Sequence, residues 1–321
     1  MKKIFLLIIV LVVVFIMGDV QRVSAQYYYY DDYTYDTPLT FEAGGSIGVM
    51  NSLTDIGGNA GEAKKGVHDL YLGDGYTHPC GSIYIAGVYK YAYGLRLEAT
   101  YGGVSAADST LKSVASSSDG RYQRNLSFRS KIEELSLVAE FYPLYIFVDW
   151  ANTKYNPPKL SPYILAGIGV FHFNPQARGD SAANSGGWVD LQPLHTEGEG
   201  FSQYPDRKNY SLTQLNFPVG VGLKYEISDK INIRAELMWR ILKTDYLDDV
   251  SSTYIDPKYF AANLPPAQAQ EAEFFSDRVK NSPATPQYNW HVGGIRGDSK
   301  NNDTYFSFNI KVGIVFGRER R

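Results

Sequence analysis

The sequence has 321 residues, with 31 Lys and Arg against 34 Asp and Glu, so its net charge of −3 lacks the basic excess of a nucleic-acid binder. Hydrophobic residues reach 44 % and charged ones only 20 %, while Tyr numbers 26 and Gly 30. A single Cys excludes an intramolecular disulfide framework, an iron–sulfur cluster and a cysteine-based zinc site.

The chain begins with Lys2 and Lys3, an unbroken apolar run from Ile4 to Met17, and the small-residue pattern Val23-Ser24-Ala25 before Gln26. Residues 1–25 are therefore predicted to be a secretory signal peptide, since the run is too short to span a bilayer as a helix. No Cys follows the cleavage point, which argues against a lipoprotein. Removing this segment leaves 28 basic and 33 acidic residues, a net of −5. Residues 26–38 form a Tyr/Asp-rich stretch with no period and only acidic charges, expected to be a flexible or locally extended periplasmic tail.

From Leu39 onward the hydrophobic period is two, and it recurs eight times. The predicted strands cover 39–51, 81–92, 95–104, 128–144, 161–174, 211–226, 230–243 and 303–316. The third sets Leu95, Leu97, Ala99 and Tyr101 against Arg96, Glu98 and Thr100. The seventh sets Ile231, Ile233, Ala235, Leu237, Trp239 and Ile241 against Asn232, Arg234, Glu236 and Arg240. The fifth is apolar on both parities, and its faces stay unassigned. Repeated alternation with one apolar face is the signature of a transmembrane barrel.

The connections alternate in length. Ala92-Tyr93-Gly94, 145–160 and Ser228-Asp229 are short or moderate; 52–80, 105–127, 175–210 and 244–302 are long. Outer-membrane barrels have short periplasmic turns and longer extracellular loops. The expected fold is thus all-β, an eight-stranded antiparallel up-and-down transmembrane β-barrel over 39–316, with both termini periplasmic and 317–321 a basic tail. Two aromatic belts are expected: Tyr89, Tyr91, Tyr93, Phe141, Tyr142, Tyr163, Tyr225 and Phe316 at the periplasmic ends, Phe171, Phe173, Phe217, Trp239, Phe306 and Phe308 at the other.

The polar parity carries Glu42, Glu98, Glu134, Glu140 and Glu236 with Arg96, Lys224, Arg234, Arg240 and Lys311. Eight strands enclose an interior that side chains fill, so these charges are expected to pair as a structural plug. A proton or ion path is the competing reading. Catalytic and metal signals are sparse. The five His residues show no metal spacing, and His172 with Asn174 beyond it is the nearest approach to a rim catalytic base. Asp245, Asp248, Asp249 and Asp256 have the oxygen chemistry of a calcium site, against the simpler expectation of solvated loop acids. Residues 264–280 suit a short helix capping the outer mouth. Cys80 is expected to be a buried free thiol, with an intermolecular disulfide as the alternative.

Five stretches resemble the PorG-like family, the small outer-membrane barrel component of the type IX secretion system. They are Asn125–Ser130 with Glu134–Ser136 and Glu140-Phe141; Ser161–Tyr163 with Ala166–Gly169 and Phe171–Pro175; Pro193–Gly200; Tyr210–Gln214; and Thr244–Tyr254. The resemblance runs over roughly 39–316. It implies an integral barrel that associates with a periplasmic ring built by a lipoprotein and its partner. Such a barrel is needed for secretion of proteins bearing a type IX C-terminal signal, and for motility in gliding members. It implies no catalytic residue, cofactor, nucleic acid or small-molecule substrate; membrane lipids surround the barrel. The chain departs from the family in its Tyr/Asp-rich start and in continuing past Phe316 to Arg321. Tyr28, Tyr30, Tyr33, Tyr35, Trp150 and Tyr155 are the expected partner contacts, because Tyr and Trp supply large contact area at low entropic cost. A stand-alone OmpA-type barrel acting as adhesin or membrane-stability protein is the competing function, and a lipid- or peptide-modifying barrel enzyme a third.

Overall fold

A strand with one apolar and one polar parity is stable only where each parity meets its own environment, and closure of eight such strands achieves that without leaving an edge. In the computed structural model, which describes residues 28–29, 34–59, 69–73, 75–118, 120–147, 158–179, 186–279 and 292–320, the strands are β1 (Thr34–Leu53), β2 (His78–Tyr89), β3 (Tyr93–Ala107), β4 (Ser127–Phe141), β5 (Leu160–Arg178), β6 (Thr213–Glu226), β7 (Ile231–Leu242) and β8 (Thr304–Arg320). Each pairs antiparallel with its sequence neighbour, and β8 pairs with β1, opposing Ile310 to Ile47 and Val312 to Gly45, so the sheet closes on itself. The expected signal peptide lies outside the described residues.

One parity of every strand faces out. Leu95, Ile164, Ile168, Val221, Leu223, Leu237, Ile310 and Val312 are all exposed, which no water-soluble protein of this size would accept as a continuous band. On β6 the band runs from Leu215 to Tyr225. Ten residue steps at about 3.3 Å, tilted at about 40°, give roughly 25 Å of height, the apolar thickness of an outer-membrane barrel. The charged Lys131 and Glu133 stand on the exterior of β4 only toward the loop end. The short connections lie at the same end as both termini, here the turn end; the four long connections gather at the opposite, loop end.

The strands differ from expectation at their ends. The first hairpin turns at 90–92, not at Ala92-Tyr93-Gly94, because Lys90 and Tyr91 adopt φ of 49° and 56° and Tyr93 already pairs with Tyr89. Residues 34–38 are extended, the second of the two expectations for that stretch: they continue β1, and 34–36 pair with 318–320, which continue β8. Each segment supplies the other's ladder partner. Pro38, with no N–H to give, falls in the register break between the Phe316–Phe41 and Arg318–Asp36 pairs.

The long connections fold into a cap. It holds a 3-10 segment (Asp108–Ser117), α1 (Arg121–Arg124), a short strand (Trp188–Asp190) added to β5, and two helices, α2 (Lys258–Asn263) and α3 (Pro266–Ser276). The last matches the helix expected within 264–280. Ala269, Ala272 and Phe275 of α3 pack with Leu191, Leu194, Phe201 and Phe260 as a separate apolar core.

Candidate functional site

The barrel interior is the most heavily built region. Its polar parity places the ten charges singled out in the sequence inside the wall, in three tiers. Nearest the turn end, the Arg234 guanidinium bridges Glu42 at 2.5 Å and Glu140 at 2.9 Å. Lys224 stands 3.7 Å from Glu42 and 2.8 Å from Glu226. In the middle tier Arg96 meets Glu140 at 2.5 Å, Glu236 at 2.8 Å and Glu98 at 2.9 Å. Lys311 pairs with Glu98 and, at 3.2 Å, with Glu236. Toward the loop end Arg240 holds Glu134 at 3.1 Å and Ser307 at 2.5 Å. Arg96, Arg234 and Lys311 are each 0 % exposed, so their charges are balanced by these partners and not by bulk water.

Tyrosines complete the network. The Tyr84 hydroxyl donates to Glu42 at 2.5 Å, Tyr142 to Glu140 at 2.6 Å, Tyr163 to Glu236 at 2.8 Å, and Tyr305 to Glu134. Asn216 donates to Glu134 at 2.9 Å, and Ser82 to Glu98 at 2.5 Å. Glycines make room for the rings. A Cβ on Gly222 would lie 2.3 Å from the Tyr163 ring, and one on Gly44 2.7 Å from that of Tyr84.

Both mouths are closed by side chains. At the turn end Tyr91 stacks on Tyr145 at 5.4 Å, and Tyr142 leans on Tyr163 at 5.0 Å. At the loop end Phe171 and Phe173 stack at 5.3 Å, and the series continues through Tyr210 to Tyr246, whose rings lie 4.7 Å apart. Tyr91, Tyr142, Tyr163, Phe171 and Phe173 were expected in the lipid-facing belts; they are buried instead. Tyr142 follows the inward parity of Glu140, and Phe171 and Phe173 share the inward parity of Tyr163 on β5. That strand is apolar on both sides because it fills the lumen as well as facing lipid. The belts retain Tyr89, Tyr93, Tyr225, Phe308 and Phe316, all exposed; Trp239 is half-buried, stacked at 5.3 Å on Phe306, which is itself buried.

Above the loop end, the cap is tied by a second polar network. Asp249 accepts from Thr196 at 2.6 Å and from Tyr210 at 2.5 Å. Glu197 accepts from the Ser251 and Ser252 amides at 3.0 and 2.9 Å and pairs with Arg296 at 2.9 Å. Arg124 forks onto Asp108 at 2.8 Å and also donates to the carbonyls of Asp55 and Arg296. Glu199 lies buried beside Asp249 and Glu197, accepts only the Glu197 amide at 3.2 Å, and leaves its Oε1 without a hydrogen-bond partner among the described residues. Burial, reinforced by Asp249 and Glu197, pushes its carboxyl up to about 8. Burial likewise raises Asp249 to about 6, against the opposing pull of Arg296.

The acidic loop does not converge on a cation. Asp248 accepts from the Ile56 and Val250 amides, Asp249 is engaged as above, and Asp256 pairs at the surface with Lys258 at 2.6 Å. Asp245, Asp248 and Asp249 are buried, correcting the expectation of solvated loop acids. Among the described residues no three His, Cys, Asp or Glu side chains gather as a metal site. His172 points outward and hydrogen-bonds Thr213 at 3.1 Å. The closest approach to a nucleophile and base is His78 Nε2 to Ser105 Oγ at 2.6 Å, across two strands, where sequence spacing gave no hint of it. No carboxylate among the described residues is seen to orient that ring, which a triad requires. Cys80 is a buried free thiol that donates to Asn309 at 3.3 Å. Of the expected partner contacts, Tyr28 belongs to a two-residue strand, Tyr28–Tyr29, and Tyr35 lies opposite Tyr29 and Glu319; Tyr30, Tyr33, Trp150 and Tyr155 lie outside the described residues.

Closed pairing, an apolar exterior and a charge-filled interior define a membrane-spanning eight-stranded β-barrel of the outer-membrane kind. No protein-family model matches the chain, and no curated protein matches it. Solved structures similar to it include Ail, the attachment invasion locus protein of Yersinia pestis, in complex with the heparin analogue sucrose octasulfate, at 9 % identity over 86 % of this chain and 99 % of that one, TM-score 0.35. Neisserial surface protein A is similar at 8 % identity over 87 % and 97 %, TM-score 0.34. The N-terminal β-barrel domain of Pseudomonas aeruginosa OprF is similar at 12 % identity over 86 % and 97 %, TM-score 0.30. The assignment of the fold rests on the strand pairing itself.

Proposed function

We propose that this barrel is a non-enzymatic assembly component of the type IX secretion machinery, of the PorG-like kind. In this reading the turn end faces the periplasm and holds a ring formed by a lipoprotein and its partner against the outer membrane. The observation that carries the reading is where the resembling stretches meet. Thr196 and Glu197 of Pro193–Gly200, Tyr210 of Tyr210–Gln214, and Asp249, Ser251 and Ser252 of Thr244–Tyr254 join in one buried network. Their likeness to the family thus falls on a shared cap framework and not on scattered loop residues. The tiered ion network agrees with an anchor, since cargo has no passage through a filled lumen.

A deletion strain assayed for secretion of proteins with a type IX C-terminal signal tests the reading. Loss of secretion, restored by the wild-type gene, is the expected result. Normal secretion with a defect in attachment or envelope integrity alone would favour the OmpA-type adhesin or stability protein instead.

A further inference from the structure

On the exterior, three neighbouring strands turn from apolar to polar at one level. Tyr101 of β3 stands opposite Glu133 of β4, Glu133 opposite His172 of β5, and His172 opposite Thr213 of β6. Toward the turn end these exteriors carry Leu95, Leu137 and Ile168, all exposed. One step toward the loops come Gly103, Lys131 and Asn174, and one step further Ser105, Arg129 and Gln176. Two residues along a tilted strand rise about 5 Å, and the polar layer of each leaflet is about 5–8 Å thick. Lys131 therefore stands within the headgroup layer and Arg129 at its outer limit.

Arg129 is fixed in place. Its guanidinium lies 3.6 Å from the centre of the Trp188 ring, and its Nε donates to Gln176 Oε1 at 3.1 Å. Gln176 in turn donates to Asp190 at 2.7 Å, as does Asn174 at 3.0 Å. Trp188 and Asp190 belong to the short strand added to β5, so that strand is what holds the arginine. Trp188 is itself exposed, as an aromatic at a membrane interface is. The two terminal amino groups of Arg129 have no partner among the described residues, and neither has the exposed Lys131 ammonium. Two acids share this face. Asp190 is taken up by the two amides, and Glu133 lies on the lipid side of Lys131, where it keeps an anion from settling lower. With Arg178, also exposed, the face has three bases to two acids.

A guanidinium held flat with both amino groups free, and an ammonium below it on the same face, match the oxygens of a phosphate. Their height and their outward direction open them sideways to the membrane. We propose that Arg129 and Lys131, steadied by Trp188, form a docking site for the phosphate of an outer-leaflet glycolipid of the lipid A type. The proposal takes from the reading above only its orientation, with the turn end in the periplasm. The lipid's phosphate bridges the two side chains, and its acyl chains run down the apolar band of β3–β5.

The test reconstitutes the full-length barrel in phosphatidylcholine vesicles containing bisphosphorylated lipid A, transfers it to detergent, and counts lipid A retained per barrel by mass spectrometry. Heat-modifiable gel mobility confirms that each variant is folded. The wild-type chain is expected to retain the lipid, and the double variant R129Q/K131Q about tenfold less. Trp188→Ala is expected to lower retention as well, because it frees the guanidinium without removing its charge. Lys243→Gln removes an exposed lysine over the Phe217 ring, two strands beyond β5, and is expected to retain the lipid as the wild type does. No retention by the wild type, or equal retention by it and the double variant, would overturn the site. Equal retention of lipid A stripped of its phosphates would overturn it too. If inorganic phosphate alone stabilised the wild type against heat as much as lipid A does, the choice of a lipid would fall. Purified barrel and vesicles contain no secretion machinery, so failure here leaves the proposed function to the deletion strain.

Discussion

Arg234 has no water to fall back on. Its guanidinium divides between Glu42 and Glu140 and also donates to the Tyr142 hydroxyl at 3.0 Å. Truncating it leaves Glu140 to Arg96 alone and Glu42 to Lys224 at 3.7 Å, one positive charge short in a closed interior. Arg234→Ala is expected to destabilise the barrel by ~3–5 kcal/mol, and Glu98→Ala by a similar amount, since each strands a buried opposite charge. Denaturant unfolding from lipid vesicles measures this, and a change below about 1 kcal/mol would mean that the network is solvated after all. In the cap, Glu199 gives a sign to the pH dependence. Its folded carboxyl stays protonated up to about 8, whereas in the unfolded chain it ionises near 4.5, as an ordinary glutamate does. The folded cap therefore binds more protons between those values, and stability falls as pH rises through that window. Asp249, raised to about 6, adds to the lower part of the same slope. Cap unfolding in urea is expected at lower denaturant at pH 8 than at pH 5, and Glu199→Gln is expected to flatten the difference. An unchanged slope in that variant would remove Glu199 from the account.

At the scale of the strand, parity made most of the barrel legible before any coordinates: apolar and charged residues alternate wherever lipid and lumen differ sharply, as on β3 and β7. Legibility failed where the interior is apolar or aromatic. Tyr142 and Tyr163 carry both a ring and a hydroxyl, so a count of aromatics at strand ends places them with the lipid belts although they close the ion network. Glu226 shares the parity of Lys224 two residues earlier and was readable from that alone. The cap was legible only as one helix and a set of loop acids, because its network joins residues as far apart as Glu197 and Arg296, which no local period connects. The close packing of ring against glycine gives this scale its prediction. Gly222→Val places a Cβ about where the Tyr163 ring now lies and would push that hydroxyl off Glu236. Overpacking of this kind is expected to destabilise by about 1–3 kcal/mol. A double variant with Tyr163→Ala should recover part of that loss, and failure to do so would place the strain elsewhere.

The whole molecule is a wall whose outside belongs to lipid, whose inside is filled, and whose loop end is lidded by a folded cap. Such a barrel satisfies every backbone group within the membrane by strand pairing, so it should keep its folded mobility in detergent gels until boiled. Among the described residues the three tiers of ion pairs and the aromatic clusters at both mouths fill the interior, and this filled interior underlies the reading of the protein as an anchor. The most direct measurement is conductance: the refolded full-length barrel inserted into planar bilayers and held at a fixed voltage. The account predicts negligible current, with heat-modifiable mobility proving the inserted protein folded. Large, steady channels from the same preparation would contradict it.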